Sequence, residues 1–189
     1  MSQTITKITT LASYILFAFV LSVPKHIIHA DVSVPQNLES STIAKSMSKV
    51  DIEKENRIKT LETYFSTHNS PLTPYASIFV EEAYKNNLDW RLVAAISGVE
   101  STFGKHIPQG SYNGWGWDSG KYKFESWEEA IQIISETLNT KYAQNWGANT
   151  PSEIGKYYAA SPTWASRVAF FMEKIEVSRP KIEEVAFNL

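Results

Sequence analysis

The chain has 189 residues and no cysteine, and it carries 18 lysines and arginines against 20 aspartates and glutamates. Without cysteine there is no disulfide framework, no thiolate metal site and no thiol catalysis. The small negative charge provides no basic surface, so we expect no nucleic-acid partner. A hydrophobic content of 43% with 13% aromatic residues supports a single compact domain.

The first 30 residues have the pattern of a secretory signal peptide. Lys7 precedes an apolar run from Leu11 to Val23, and a cleavage site fits after Ala30. The run is shorter than the roughly 20 apolar residues of a membrane-spanning helix. We therefore predict a secreted or extracytoplasmic protein with no membrane span in its mature form, and an uncleaved N-terminal anchor is the alternative.

The rest of the chain divides into a linker, a domain and a tail. Residues 31–50 are polar and poor in large apolar side chains, which predicts a linker. The folded domain is expected over residues 51–178, and residues 179–189 form a tail to which we assign no function. The domain opens with a charged helix in which Ile58, Leu61 and Phe65 recur at spacings of three and four.

Five further helices are predicted from residues typical of helix starts. Two of these starts have the capping-box pattern, in which a hydroxyl residue is followed three positions later by glutamate. The starts are, in chain order, Thr73 with Pro74; Asp89, for a helix that stops at Gly104; Ser126 with Glu129; Thr150 with Pro151 and Glu153; and Ser161 with Pro162.

Residues 106–126 are rich in glycine and aromatic side chains and carry no helix signal. Two aromatic stretches, residues 114–118 and 121–124, flank Ser119 and Gly120, which predicts a short β-hairpin. The sequence therefore predicts a mainly α-helical domain with one small β element.

Glu100 does not fit the apolar pattern of the third predicted helix. At 100° per residue it lies within the stripe that contains Leu92 and Ile96, and it occupies the last turn, where free carbonyl groups make the helix end negative. Both conditions favour the uncharged acid, which can donate a proton to a departing oxygen. The alternative is a surface glutamate that pairs with Arg91 or Lys105.

The segment after this helix places Tyr112, Trp115 and Trp117 among glycines. Aromatic faces stack on the apolar faces of sugar rings, and glycines let backbone amides approach a ligand closely. Asn113 can hydrogen-bond an acetamido group, although an asparagine before glycine is also a turn residue. The alternative role of the rings is to fill the hydrophobic side of the hairpin. A proton donor beside an aromatic cleft favours a polysaccharide substrate.

Four stretches of the chain together resemble one family. They are ESTFGK at residues 100–105, GSYNGWGW at 110–117, FESWEEAI at 124–131 and KYYAASPTWASRVAFFMEKI at 156–175. Within residues 75–177 the chain is similar to the lysozyme-like domains of bacterial peptidoglycan-cleaving enzymes, particularly the lytic transglycosylases and related glucosaminidases.

The resemblance implies a mainly α-helical fold of the lysozyme-like α+β type, with a helical bundle around a glycan groove and one small β-hairpin. It implies that Glu100, followed by Ser101, is the catalytic acid and that Tyr157 or Tyr158 helps to hold the substrate or the developing charge. The implied partner is the glycan strand of peptidoglycan, with no metal or cofactor. We expect a monomeric protein associated with the cell wall.

The sequence leaves the reaction open. A lytic transglycosylase needs one glutamate, whereas a two-carboxylate glycosidase needs a partner roughly 5 to 9.5 Å away, for which Asp118 is the nearest candidate in sequence. The chain lacks the glycine-leucine-methionine-glutamine and alanine-tyrosine-asparagine-alanine-glycine stretches usual in soluble transglycosylases. A non-catalytic glycan-binding or wall-anchoring module is the alternative. The histidines lack metal-ligand spacing and no G-x-S-x-G motif occurs, which disfavours a metal or serine hydrolase.

Overall fold

The computed structural model describes the backbone of residues 39–180 and the side chains of residues 49–180. This part of the chain is mainly α-helical, as predicted, and contains no strand. A 3-10 turn, Thr73–Tyr75, precedes the second helix, and a π-helical segment, Leu138–Asn145, continues the fourth. The helices are α1 (Glu39–Thr67), α2 (Ala76–Lys85), α3 (Leu92–Ser101), α4 (Trp127–Thr137), α5 (Pro151–Tyr158) and α6 (Trp164–Val177).

Side chains cap α4 and α5 where the sequence predicts it. The Ser126 hydroxyl accepts the backbone N–H of Glu129 at 3.2 Å. At α5 the cap is reciprocal, because Thr150 Oγ1 accepts the N–H of Glu153 and the Glu153 carboxylate accepts the N–H of Thr150. Each cap satisfies backbone donors that have no partner within the helix. Local sequence therefore determines where both helices begin.

The third helix forms the centre of the hydrophobic core. Every residue from Leu92 to Gly98 is buried, and α6 packs along this helix. Buried side chains from α1, α2 and α4, such as Phe65, Phe79 and Ile131, complete the core. Because α3 is buried on all sides over most of its length, only its last turn reaches the surface. That turn carries Glu100.

The end of α3 lies three residues before the predicted stop at Gly104. Thr102, Phe103 and Gly104 have successive φ angles of 55°, 59° and 79°, in the left-handed region. This conformation costs roughly 1–2 kcal/mol for a residue with a side chain. The Phe103 ring is buried and lies so close to Gly98 that a Cβ there would be 2.5 Å from the ring. Burial of Phe103 therefore holds the chain in a strained turn directly beside Glu100.

The predicted β-hairpin is not confirmed, since residues 114–124 form turns instead of paired strands. Gly116, Asp118, Ser119 and Gly120 all have positive φ angles between 50° and 79°, which do not fit an extended strand. The Asn113 side chain also takes backbone groups that strand pairing would need: it bonds the N–H and C=O of Trp117 and the C=O of Tyr122. A side-chain-centred loop replaces the hairpin.

Helix α1 begins at Glu39, inside the segment predicted to be a linker, so residues 39–50 are helical. The segment contains no glycine or proline after Gln36 and includes good helix formers such as Ala44 and Lys45. The predicted signal peptide, residues 31–38 of the predicted linker and residues 181–189 of the tail lie outside the described residues. Among the helices the structure describes, none combines the length and the apolar content needed to cross a bilayer.

A network of ion pairs joins α1, the turn before α3 and the end of α6. Arg91 bonds the Asp89 carboxylate at 2.6 Å and reaches Glu176 at 3.3 Å. Arg179 pairs with Glu176 at 3.2 Å and also with Glu53 on α1. Burial raises the pKa of Asp89, but hydrogen bonds from the side chain and backbone of Arg91 outweigh it, so this pKa lies below its ordinary value.

We predict that Asp89→Asn lowers the free energy of unfolding by about 0.5–1 kcal/mol at neutral pH, because Arg91 loses its charged partner. Since the folded-state pKa of Asp89 is lowered, its contribution is present above the ordinary pKa near 3.8 and is lost as pH falls through the lowered value. Denaturant unfolding at pH 7 and pH 3 measures the difference. The exposed Asp51→Asn is the control. A difference in unfolding free energy between wild type and Asp89→Asn that is larger at pH 3 than at pH 7 would contradict the assignment.

Candidate active site

Glu100 is exposed, although the sequence predicts it within the buried apolar stripe. The prediction is wrong because α3 does not have one buried side and one side that faces solvent. Its first seven residues, Leu92 to Gly98, are buried all round, and the helix then emerges at the surface. Arg167 of α6 donates to the Val99 carbonyl at 3.2 Å and satisfies one free acceptor of this last turn. The carboxylate therefore stands at the exposed end of a rigid, buried helix.

The two carboxylate oxygens of Glu100 have different surroundings. Oε1 accepts a 2.6 Å hydrogen bond from the indole N–H of Trp164, the first residue of α6. Oε2 faces Gly116, where an added Cβ would lie 3.1 Å away. The indole fixes one oxygen, while the other lies beside a loop residue that has no side chain. Oε2 is therefore the oxygen positioned to exchange a proton with a ligand.

A cleft of about 310 Å³ opens next to this carboxylate. It is lined by the loop from Gly116 to Ser119, which includes Trp117 and Asp118, and by Tyr142 and Tyr158. Gly116 is common to the cleft and to the surroundings of Glu100, so the carboxylate lies at the cleft margin. The cleft lining thus contains one acidic side chain and three aromatic rings, and the Glu100 carboxylate lies beside it.

Tyr158 connects the cleft to the Glu100 site. Its ring stacks on Trp164 with 4.9 Å between centroids and 25° between planes, and its hydroxyl donates to the Trp115 carbonyl at 2.7 Å. Burial, and secondarily the negative charge of Glu100, raise the pKa of Tyr158 well above its ordinary value. Tyr158 is therefore a neutral phenol, and both its ring and its hydroxyl group are held in place.

Three residues predicted to bind substrate are buried parts of the scaffold. The Trp115 ring is fully buried and donates its indole N–H to the Val93 carbonyl at 2.9 Å. Ser101 Oγ accepts the Gly104 N–H at 2.8 Å, and its hydrogen has two carbonyls within reach, the nearer Gly114 at 2.8 Å and Ser97 at 3.0 Å. Asn113 is 3% exposed, and its amide makes the loop contacts described above. These side chains shape the loop and have no face left for a ligand.

The other predicted aromatic residues differ in location. Trp117, which the sequence predicts as a sugar-contacting ring, is half-buried and lines the cleft. Tyr112 is exposed but packs edge-on against Trp127, away from the cleft lining. Tyr157 is 54% exposed and packs against Trp146. The structure therefore brings together Glu100, Trp117, Tyr158 and Asp118, and leaves Tyr112 and Tyr157 outside the cleft.

Sequence reasoning missed Trp164, Tyr142 and Gly116 as site residues. Trp164 is buried, and its indole N–H holds Glu100, which lies 64 positions away in sequence. Tyr142 lies in the π-helical segment, a rare geometry that is often found at functional sites. Within the described residues no group of three His, Asp or Glu side chains has the arrangement of a metal site.

The chain matches no protein-family model and no curated protein.

We predict that Asn113→Asp lowers the free energy of unfolding by roughly 1–3 kcal/mol, because a carboxylate replaces the amide donor that faces the carbonyls of Trp117 and Tyr122. Denaturant unfolding at pH 7 measures the loss. Asn145→Asp makes the same chemical change at an exposed position and is the control. Equal stability of the two variants would show that the Asn113 amide does not hold the loop.

Proposed function

We propose that this protein cleaves the β-1,4 glycan backbone of peptidoglycan, with Glu100 as the catalytic acid. The observation that carries the proposal is a carboxylate fixed by the Trp164 indole at the margin of an aromatic cleft. An acid positioned by one neighbour and open to a ligand on its other oxygen is what glycoside cleavage needs. The lysozyme-like resemblance around residues 100–117 and 156–175 supports the same reaction, and with it a lysozyme-like fold and a location at the cell wall.

In the proposed reaction, Oε2 of Glu100 gives its proton to the glycosidic oxygen. The bond from that oxygen to the sugar C1 then breaks, the leaving sugar departs as an alcohol, and the remaining ring becomes oxocarbenium-like. A glycan strand in the cleft would exclude water from the carboxyl group and strengthen its electrostatic interaction with the glycosidic oxygen. The Trp164 indole holds Oε1 throughout and can stabilise the carboxylate that forms.

Two outcomes are possible for the sugar cation. In a lytic transglycosylase, the Glu100 carboxylate takes the proton of the muramoyl 6-hydroxyl, whose oxygen attacks C1 and closes a 1,6-anhydro ring. In a hydrolase, water attacks C1 with help from a second carboxylate. We favour the lyase, because one glutamate suffices for it, while Asp118 in the cleft wall is the candidate second carboxylate for hydrolysis.

We predict that Glu100→Gln reduces the cleavage of purified sacculi by roughly 100- to 10,000-fold, the range that general acid catalysis contributes. The exposed Glu173→Gln on α6 is the control. Clearing of a peptidoglycan zymogram and mass spectrometry of the products provide the measurement.

We expect 1,6-anhydro ends and an active Asp118→Asn variant. Reducing ends with an inactive Asp118→Asn would identify a hydrolase, while wild-type binding without cleavage would identify a binding module.

We also predict that Gly116→Ala lowers kcat by about 10- to 100-fold, because its Cβ would lie 3.1 Å from Glu100 Oε2 and displace the carboxylate. Gly120→Ala is the matched control in the same loop: its φ is also positive, at 79°, but its Cβ would meet no atom within 4 Å. Both variants bear a similar backbone strain. Equal loss of kcat in the two would exclude displacement of Glu100 as the cause.

A further inference from the structure

Trp146 and Tyr157 form an exposed aromatic pair outside the cleft. The rings are 40% and 54% exposed, and their centroids are 4.6 Å apart with planes inclined by 35°. We call this pair the aromatic platform. Two large exposed rings in contact form an apolar surface patch whose exposed side does not contribute to the hydrophobic core.

Several contacts hold the Trp146 ring of the platform in place. Tyr142 packs edge-on against the indole at 5.0 Å, and the Lys141 ammonium lies 5.0 Å from its ring centroid. The Ala148 N–H bonds the Tyr142 carbonyl at 2.8 Å, which ties the chain after Trp146 to the π-helical segment. A ring already fixed in one position loses little conformational freedom when a ligand covers it. Such preorganisation is typical of a binding surface.

A continuous row of rings connects the platform to Glu100. Trp146 contacts Tyr142, Tyr142 lies 6.1 Å from Tyr158, and Tyr158 stacks at 4.9 Å on Trp164, which bonds the carboxylate. Tyr142 and Tyr158 also line the cleft. The platform therefore lies at one end of this row of rings, and Trp164 at the other end bonds the proposed catalytic acid.

We propose that the platform is a remote saccharide subsite, which stacks a sugar ring of the same glycan strand that Glu100 cleaves. This inference rests on the proposed function for the identity of its ligand. A sugar ring presents an apolar C–H face with hydroxyls at its rim, which suits an exposed ring flanked by polar groups. Continuity with the cleft argues for a long strand that occupies both places at once. The platform then selects strands long enough to reach it.

The sequence alone does not reveal that these two rings belong to one surface. Trp146 follows the π-helical segment Leu138–Asn145, and Tyr157 lies in the last turn of α5. The π-helical geometry determines where Trp146 leaves the helix relative to Tyr142, and helical periodicity alone does not predict that position. Of the two neighbouring tyrosines, Tyr158 lines the cleft and Tyr157 belongs to the platform.

Binding of β-1,4-linked N-acetylglucosamine oligomers of two and six sugars tests the proposal. The full chain with Glu100→Gln, which prevents cleavage, serves as the reference for calorimetry. We expect Trp146→Ala and Tyr157→Ala to weaken binding of the hexamer about tenfold, the effect of losing one well-packed aromatic contact. Binding of the dimer, which covers less of the cleft and platform together than the hexamer does, should weaken less. In the active protein the same variants should raise KM for sacculi and leave kcat unchanged.

Phe170→Ala is the matched control, since Phe170 is 51% exposed on α6 and also has a lysine, Lys174, over its ring. Trp146→Phe keeps an aromatic face and should retain most of the affinity, which separates stacking from a folding defect. Unchanged hexamer binding in both platform variants, or equal weakening of hexamer and dimer, would overturn the subsite and leave the proposed function standing. A wild-type protein that never cleaves sacculi, but whose hexamer affinity depends on Trp146, would overturn the function and leave the subsite standing.

Discussion

The hydroxyl group of Ser101 joins the end of α3 to the glycine-rich loop, and the geometry of the cleft depends on this junction. It accepts from Gly104 and donates to Gly114, so one buried group satisfies backbone atoms from two segments. The Trp115 indole makes a second attachment, to the Val93 carbonyl. Loss of a buried partner leaves polar atoms unsatisfied, which is costly in the protein interior. With the loop held in this way, Gly116 stays beside Glu100.

Much of the helical framework could be predicted from the sequence, because helix starts depend on local chemistry. Ser126 and Thr150 cap their helices as their spacing from glutamate indicates. The hairpin could not be predicted correctly, since alternating aromatic residues say nothing about the Asn113 side chain that takes the place of strand pairing. The end of α3 was also misplaced, because its strained turn depends on a distant packing partner: the Phe103 ring is held between the core and Phe171 of α6.

The candidate site was only partly accessible from the sequence. Glu100 was found because a carboxylate interrupts an apolar pattern, yet the expected burial is wrong, since the pattern does not reveal that α3 is buried on all sides before its last turn. The sequence wrongly predicts Trp115 as a ligand-binding ring, because composition cannot distinguish a loop tryptophan that faces the core from one that faces a cleft. Trp164 and Tyr142 reach the site only through long-range packing, which no local motif encodes.

The hydrogen bond from Tyr158 to the Trp115 carbonyl limits what the hydroxyl of this cleft residue can offer. A phenol has a single hydrogen, and here the protein itself uses it, so toward a bound molecule this oxygen offers lone pairs alone. The Asp118 carboxylate, which also lines the cleft, is likewise an acceptor when ionised. These two acceptors in the cleft lining attract hydroxyl and amide hydrogens, and the Ser119 hydroxyl beside them can also donate. A molecule that suits the cleft carries donors along the edge that meets the two acceptors.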